Sequence, residues 1–141
     1  MVRSMKEVHR DYVLLIRIGT FYYSYGNDAY IVAYLMRYKL NPLEHNLYAC
    51  AFPRSAYTKV LTRLEEKKIN YFVLDRRNNY EVEEKYNAKN LNQYDTFYQK
   101  AKEQLGMQMR VERIYWYLKE HLEDKELISQ IEKEIHERRK I

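Results

Sequence analysis

Short unbroken apolar runs occupy the first half of the chain, and evenly spaced apolar stripes occupy its last third. The first run, Val13-Leu14-Leu15-Ile16 followed by Gly19, reads as a strand buried on both faces that ends in a tight turn. It belongs to the stretch Asp11 to Asp28, in which Phe21, Tyr22, Tyr23 and Tyr25 come directly after the turn. These aromatics are expected where the chain leaves the sheet, some covering its end and others accessible for binding. Upstream, Met1, Met5 and Val8 among polar residues predict a short amphipathic helix. Downstream, Ile31, Val32, Leu35, Met36 and Leu40 keep helical spacing, with Asn27 or Asp28 as the cap and Asn41-Pro42 beyond the end. The polar segment 40–46 (LNPLEHN) reads as a loop, and Leu47 to Phe52, bounded by Asn46 and Pro53, as a second buried strand.

Ser55 is placed to cap the next helix, which carries Tyr57, Val60, Leu61 and Leu64 on one face and Lys59, Arg63, Lys67 and Lys68 elsewhere. Its length suits a crossover between parallel strands. Tyr71 to Leu74 is the third apolar run, and an Asn78-Asn79 turn leads to a weakly alternating strand at Tyr80 to Glu84. Strand, helix, strand, helix, strand is the order of an α/β layer fold. Beyond Asn90 the pattern changes. Leu91, Tyr94, Tyr98, Ala101 and Leu105 form one helical stripe that Gly106 is placed to end. Val111, Ile114, Tyr115, Leu118 and Leu122 form a second, and Leu127, Ile128, Ile131 and Ile135 a third that starts at an Asp124 cap. The organisation expected is therefore an α/β domain over residues 1–90 and a C-terminal extension of two or three amphipathic helices over 91–141. The stripes of the extension need a surface to bury against, this domain or a second copy.

Composition narrows the class. With 141 residues, 46% hydrophobic and 32% charged, the chain holds one domain with a real core plus a helical appendage. No apolar run is long enough to span a bilayer, and the start MVRSMKEVHRD lacks the apolar centre of a signal peptide. A cytoplasmic location without membrane contact is expected. Cys50 has no cysteine partner, and His9, His45, His121 and His136 show none of the short pairings of zinc sites. No metal and no cofactor are expected. Sixteen tyrosines stand against one Trp and four Phe, a bias that suits a binding surface or a Tyr-rich core. Residues 1–90 hold fifteen Lys/Arg against ten Asp/Glu, whereas residues 91–141 hold ten of each, so the basic excess belongs to the first part. Such an excess attracts polyanions, nucleic acid first.

One order of residues is more specific. An apolar strand runs into Arg17-Ile18-Gly19-Thr20-Phe21-Tyr22-Tyr23, then comes Asp28-Ala29 before a helix, and later Ala49-Cys50-Ala51-Phe52-Pro53-Arg54 before another. From about Lys6 to Asp75 the chain resembles the N-terminal mismatch-recognition domain, domain I, of the MutS family of DNA mismatch-repair proteins. There the pattern is a strand, R-M-G-D-F-Y-E, then D-A and a helix, then A-G-x-P and a helix. The resemblance implies a small mixed sheet flanked by helices, an α/β fold, with the helical extension following. It assigns to Phe21 the wedge that enters the minor groove and stacks on a mispaired base, an insertion that bends the duplex and favours sites where unstacking is cheap. Ile18 takes the place of the motif Met beside the wedge, and Thr20 that of the motif Asp. Tyr23 stands where the family has the Glu that hydrogen-bonds the base, so the implied preference moves toward bent, bulged or single-stranded DNA. Full-length relatives carry clamp, lever and ATPase domains. With Gly19, Gly26 and Gly106 as its only glycines, the chain offers no phosphate-cradling loop.

Three functions follow from these observations. The leading one is a stand-alone DNA-binding module, not an enzyme, with Phe21, Tyr23 and Ile18 on the bases and Arg17, Arg54, Lys59 and Arg63 on phosphates. The second is a protein-interaction module that kept the fold and pairs with another copy or a repair protein through its C-terminal helices. The third is a magnesium-dependent nuclease, because Asp75 followed by Glu83-Glu84-Lys85 loosely resembles the Asp and Glu-x-Lys of restriction-type sites.

Overall fold

The centre of the molecule is the strand predicted from Val13 to Ile16. In the computed structural model, which describes residues 2–44 and 47–139, it is β1 (Val13–Ile18). A short helix α1 (Val2–Val8) precedes it. After β1 come β2 (Phe21–Tyr25), α2 (Gly26–Met36), β3 (Asn41–Glu44), β4 (Leu47–Pro53), α3 (Tyr57–Glu66), β5 (Tyr71–Asp75) and β6 (Glu81–Tyr86). The strands form one sheet in the order β3-β4-β2-β1-β5-β6, with β1 and β5 parallel and every other neighbouring pair antiparallel. This is the mixed α/β sheet with flanking helices. Helix α3 makes the crossover expected of it, carrying the chain from β4 past β2 and β1 to β5.

Burial explains the apolar runs. Flanked by β2 and β5, β1 presents Val13 and Leu15 to one face and Leu14 to the other, and all three are buried. On the first face the sheet meets Ala29, Ile31 and Val32 of α2 and Val60, Leu61 and Leu64 of α3. Leu15, Ile31, Phe52 and Leu64 are fully enclosed there, each worth about 2–3 kcal/mol of apolar transfer. A smaller cluster of Tyr12, Leu14, Phe72 and Leu74, with Met5 of α1 and Tyr80 against it, lies on the opposite face.

Several local expectations are corrected. The aromatics after Gly19 do not leave the sheet; Phe21 to Tyr25 are themselves β2, paired with β1 across the two-residue loop Gly19-Thr20. Gly19 takes φ +66° at the first loop position, which a type II′ hairpin turn requires and a side chain resists. Within the loop predicted over 40–46, Asn41–Glu44 form strand β3; Pro42 is tolerated because β3 lies at the sheet edge. Met1, His45 and Asn46 lie outside the described residues. Neither Asn27 nor Asp28 caps α2, which begins at Gly26 after an extended Tyr25, and the helix stops at Met36 rather than reaching Leu40 because Arg37 turns left-handed at φ 58°. Ser55 does not cap α3 either, since Arg54–Ala56 form a 3-10 turn ahead of it.

Asp28 is employed elsewhere. Almost fully buried at 2% exposure, its carboxylate accepts hydrogen bonds from the Leu14 amide (3.1 Å), Lys6 Nζ (2.8 Å) and the Tyr94 hydroxyl (2.6 Å). These bonds join α1, β1, α2 and the first residue of α4 (Tyr94–Glu120). Burial raises the Asp28 pKa against the pull of Lys6 and the three donors. Burial and the adjacent carboxylate push the Tyr94 hydroxyl far upward, so Tyr94 remains the donor.

The chain forms two compact units, Met1–Leu105 and Gly106–Ile141. In the first, Tyr94, Phe97, Tyr98 and Leu105 of α4 pack on the principal core. Gly106 does not end a helix there, because α4 continues through it. A helix-ending glycine works by turning left-handed, and here strong helix formers on both sides, Gln104 and Leu105 before and Met107 and Gln108 after, outweigh a cost of about 1 kcal/mol. The second unit contains the remainder of α4 and α5 (Lys125–Arg139), so the extension has two helices. Asp124 caps α5 as expected, its Oδ1 accepting from the Leu127 amide at 3.1 Å.

Candidate nucleic-acid interface

Cross-strand neighbours share a face of a sheet, so the ladders sort the aromatic hairpin without ambiguity. Ile18 pairs with Phe21 and Ile16 with Tyr23, while on the far side of β2 Phe21 pairs with Pro53, Tyr23 with Ala51 and Tyr25 with Ala49. One face of the sheet therefore carries Ile16, Ile18, Phe21, Tyr23 and Tyr25 over a floor of small residues. The other carries Arg17, Tyr22 and Ser24, paired to Phe52 and Cys50. Tyr22 is buried at 4% exposure, stacks on Phe52 with centroids 5.5 Å apart, and packs at a tilt of 35° against Tyr57 at 4.6 Å. Phe21, next to it in sequence, is 43% exposed. Strand alternation alone produces this contrast.

Phe21 is the first residue after the Gly19-Thr20 turn, at the tip of the hairpin. Arg54 is anchored at the same end, its backbone amide donating to the Thr20 carbonyl at 2.9 Å while its side chain stays exposed. Ile18 and Tyr23 are half-buried beside Phe21. These four residues, Ile18, Phe21, Tyr23 and Arg54, are brought together.

The other three basic candidates lie elsewhere. Arg17 is on the helix-covered face, with Nε 3.5 Å from the Gly19 carbonyl and Nη1 3.6 Å from Glu83 Oε1. A bulge in β6 sets two residues, Glu84 and Val82, against consecutive Val73 and Leu74, leaving Glu83 between them and close to Asp75. Burial and the Asp75 carboxylate raise the Glu83 pKa, and Arg17 opposes them. Lys59 and Arg63 are exposed on α3, whose Val60, Leu61 and Leu64 pack on the face opposite to Phe21, and Arg63 is 3.8 Å from Glu66.

Asp75 and Glu84, the carboxylates of the nuclease reading, are likewise hydrogen-bonded within the fold. Asp75 accepts from the Arg77 amide at 2.9 Å and from Asn78 Nδ2 at 3.3 Å, closing the turn after β5. Glu84 accepts from the Tyr57 hydroxyl at 2.7 Å. Among the described residues no three potential metal ligands converge, and no helix is long and apolar enough to cross a membrane.

Against this geometry, the family model for MutS domain I matches residues 1–96 of the 141. The chain belongs to the MutS domain I family. A search of curated protein sequences returned no match. In this MutS domain I the matched region reaches past β6 into the first turn of α4, so the Asp28 to Tyr94 bond lies within it. MutS domain I is a recognition module of DNA mismatch repair rather than a catalytic one, and the aromatic hairpin lies within the matched region.

One residue of the exposed face was missed from sequence. Tyr25 is the third aromatic on the side of Phe21 and Tyr23, its ring parallel to that of Tyr23 within 9° and 6.4 Å away. The signal was present, since F-Y-Y-S-Y read as a strand puts its first, third and fifth residues on one face. Reading the segment as a turn concealed it.

Proposed function

We propose that this protein binds distorted DNA, with Phe21 as an aromatic wedge and Ile18 and Tyr23 flanking it against the minor groove. The observation that carries the reading is the 43% exposure of Phe21 at the tip of a hairpin whose next residue, Tyr22, is buried. A rigid sheet behind an exposed ring suits insertion between base pairs, because the ring is held in place while the duplex deforms. Arg54 at the same tip is the phosphate contact. Arg17, braced by Glu83, positions the hairpin, and Lys59 and Arg63 are exposed on the helix that covers the opposite face of the sheet. With Tyr23 in place of a carboxylate, the preference rests on how easily the DNA unstacks. Mismatched, bulged and bent sites are bound over perfect duplex, in the cytoplasm or nucleoid.

Competition binding with matched, mismatched, bulged and single-stranded DNA at two salt concentrations tests this. Phe21→Ala should weaken binding to distorted duplex by about tenfold and to perfect duplex much less, at both salts. Equal affinities of wild type and variant for every substrate would remove the wedge assignment.

A second reading concerns the partner of the C-terminal unit. Met107, Val111, Ile114, Tyr115 and Leu122 are large apolar residues left exposed, and residues 91–141 carry balanced charge, so two copies can approach without repulsion. A homodimer formed through this stripe is the assembly that fits it. Light scattering of the full chain should give twice the monomer mass, and Ile114→Glu should return it to monomer; a wild-type monomer at every accessible concentration would exclude the dimer.

A further inference from the structure

We propose that the carboxyl pair of Asp75 and Glu83 behind the hairpin takes up a proton from solvent when DNA seats on the tip, so that affinity for DNA rises as the medium becomes more acidic. The inference rests on the wedge reading and adds a means of regulating it. It starts from the ladders. Arg17 and Asp75 are partners across the parallel pair β1 and β5, and Asp75 and Glu81 are partners across β5 and β6, so all three lie on the helix-covered face. The β6 bulge adds Glu83, whose Oε1 is 3.6 Å from Arg17 Nη1. Glu84, the partner of Val73, stands on the same face and accepts from the Tyr57 hydroxyl at 2.7 Å. One guanidinium thus serves two carboxylates, Asp75 and Glu83, with Glu81 and Glu84 beside them.

The tip is joined to this cluster through Tyr22. Its hydroxyl feels the charges of Arg17, Glu83, Arg54 and Asp75, which puts the proposed phosphate contact, Arg54, in the field of the same two carboxylates. Asp75 is 7% exposed, and each of its oxygens already accepts a bond, from the Arg77 amide at 2.9 Å and from Asn78 Nδ2 at 3.3 Å. The Glu83 side chain is 28% exposed, so Glu83 is the member that exchanges a proton with solvent. Burial and Asp75 hold its carboxyl above the ordinary 4.5, with Arg17 pulling the other way. Tyr22 of β2 and Tyr57 of α3 also face Glu83, but burial raises both hydroxyls, so neither loses a proton in this range. A proton placed on Glu83 becomes a hydrogen bond to Asp75, and the pair then carries one negative charge against the one positive charge of Arg17. A DNA phosphate brought to Arg54 repels the doubly ionised pair more than the singly protonated one. Binding and proton uptake therefore favour each other.

Titration calorimetry of the full chain with a duplex carrying one mismatch, at pH 6 in two buffers of different ionisation enthalpy, counts the protons. Wild type should take up about 0.3 proton per complex more than Glu83→Gln, a subtraction that removes any share of the histidines. Fluorescence anisotropy on the same duplex should show wild-type affinity rising about threefold from pH 7.5 to pH 5.5, the size expected of a phosphate charge about 10 Å from a half-solvated carboxylate. Glu83→Gln keeps a carbonyl for Arg17 but cannot titrate. It should bind at pH 7.5 about as tightly as wild type binds at pH 5.5, with a flatter pH profile. Asp75→Asn, which keeps an acceptor in the turn and removes the like charge, should cut the proton uptake as well. Absence of uptake by wild type, or variants with the full wild-type uptake and pH slope, would overturn the coupling. If Phe21→Ala still weakens binding to mismatched duplex more than to perfect duplex in that case, the wedge stands and the proton coupling alone is lost. If Phe21→Ala changes nothing, the reading beneath it has failed.

Discussion

Replacing Tyr94 with Phe removes one oxygen from a site where three donors hold a buried carboxylate. The ring stays in the core, so the packing of Tyr94 at 3% exposure is preserved and only its 2.6 Å hydrogen bond to Asp28 is lost. A hydrogen bond to a charged group contributes about 1.5–3 kcal/mol, and little compensating water can enter at this depth. The expected loss at neutral pH is therefore about 2 kcal/mol, or a fall in Tm of about 8 °C for a domain of this size. The pH dependence follows from the direction of the Asp28 shift. Its folded pKa lies above the ordinary 3.8, so on acidification the folded chain takes up a proton before the unfolded chain does. The contribution of this group to stability thus falls as pH rises from the ordinary value through the folded one. Removing a donor raises the folded value further, so the deficit of Tyr94→Phe relative to wild type should widen as pH rises from the wild-type folded value to the variant's higher one, and narrow toward pH 4. Urea melts followed by circular dichroism at pH 4, 5.5 and 7 measure both quantities. A deficit below about 0.5 kcal/mol at pH 7, or one that grows in acid, would refute the view that Tyr94 stabilises an ionised Asp28.

Three further outcomes are expected. Gly19→Ala forces a side chain into φ +66° with no neighbouring atom to blame, so its cost of about 1–2 kcal/mol is pure backbone strain; an unchanged urea midpoint would show that the turn relaxes freely. Gly106→Ala should act in the opposite sense, stabilising α4 by about 0.5–1 kcal/mol because an added methyl meets nothing within 4 Å; thermal melting that shows any loss would contradict a regular helix at this point. A chain ending at Asn90 deletes Tyr94, Phe97, Tyr98 and Leu105 from the principal core, a burial worth about 5–8 kcal/mol against a usual total of about 5–15, whereas one ending at Leu105 keeps them all. The shorter protein should melt without a cooperative transition and the longer one with it; cooperative unfolding of both would mean that α4 is dispensable to the domain.

How much of this was legible depended on whether the deciding interaction was local. The runs Val13–Ile16, Leu47–Phe52 and Tyr71–Leu74 were readable because a strand in mid-sheet is apolar on both faces and needs no knowledge of its neighbours. Asp124 was readable as a cap because its partner, Leu127, is three residues away. Asp28 was not, since the groups that satisfy it come from Lys6, Leu14 and Tyr94, the last 66 residues distant. A side chain with three remote donors has nothing to gain by capping its own helix. Gly106 failed for a related reason. Glycine permits a left-handed turn but does not impose one, and the residues around it decide.

The site shows the same division between what spacing reveals and what pairing reveals. Phe21 was singled out by the resemblance of the run Arg17 to Tyr23 to the family motif, which is a local pattern, and its exposure follows from the alternation that buries Tyr22. Charge alone offered no such filter, and Arg17, Arg54, Lys59 and Arg63 looked equivalent as positive residues along the chain. Strand pairing separates them. Arg17 is one residue from Ile18 and so must point to the opposite face, where the β6 bulge supplies Glu83 to meet it. Lys59 and Arg63 belong to the helix that covers that same face. Only Arg54 follows directly from Pro53, the cross-strand neighbour of Phe21, and its amide is tied to Thr20 in the turn. A basic residue serves a wedge only if it reaches the duplex that the wedge enters. By that criterion the proposed interface is narrower than the basic excess of residues 1–90 suggested, with Arg54 the basic candidate at the hairpin tip that presents Phe21.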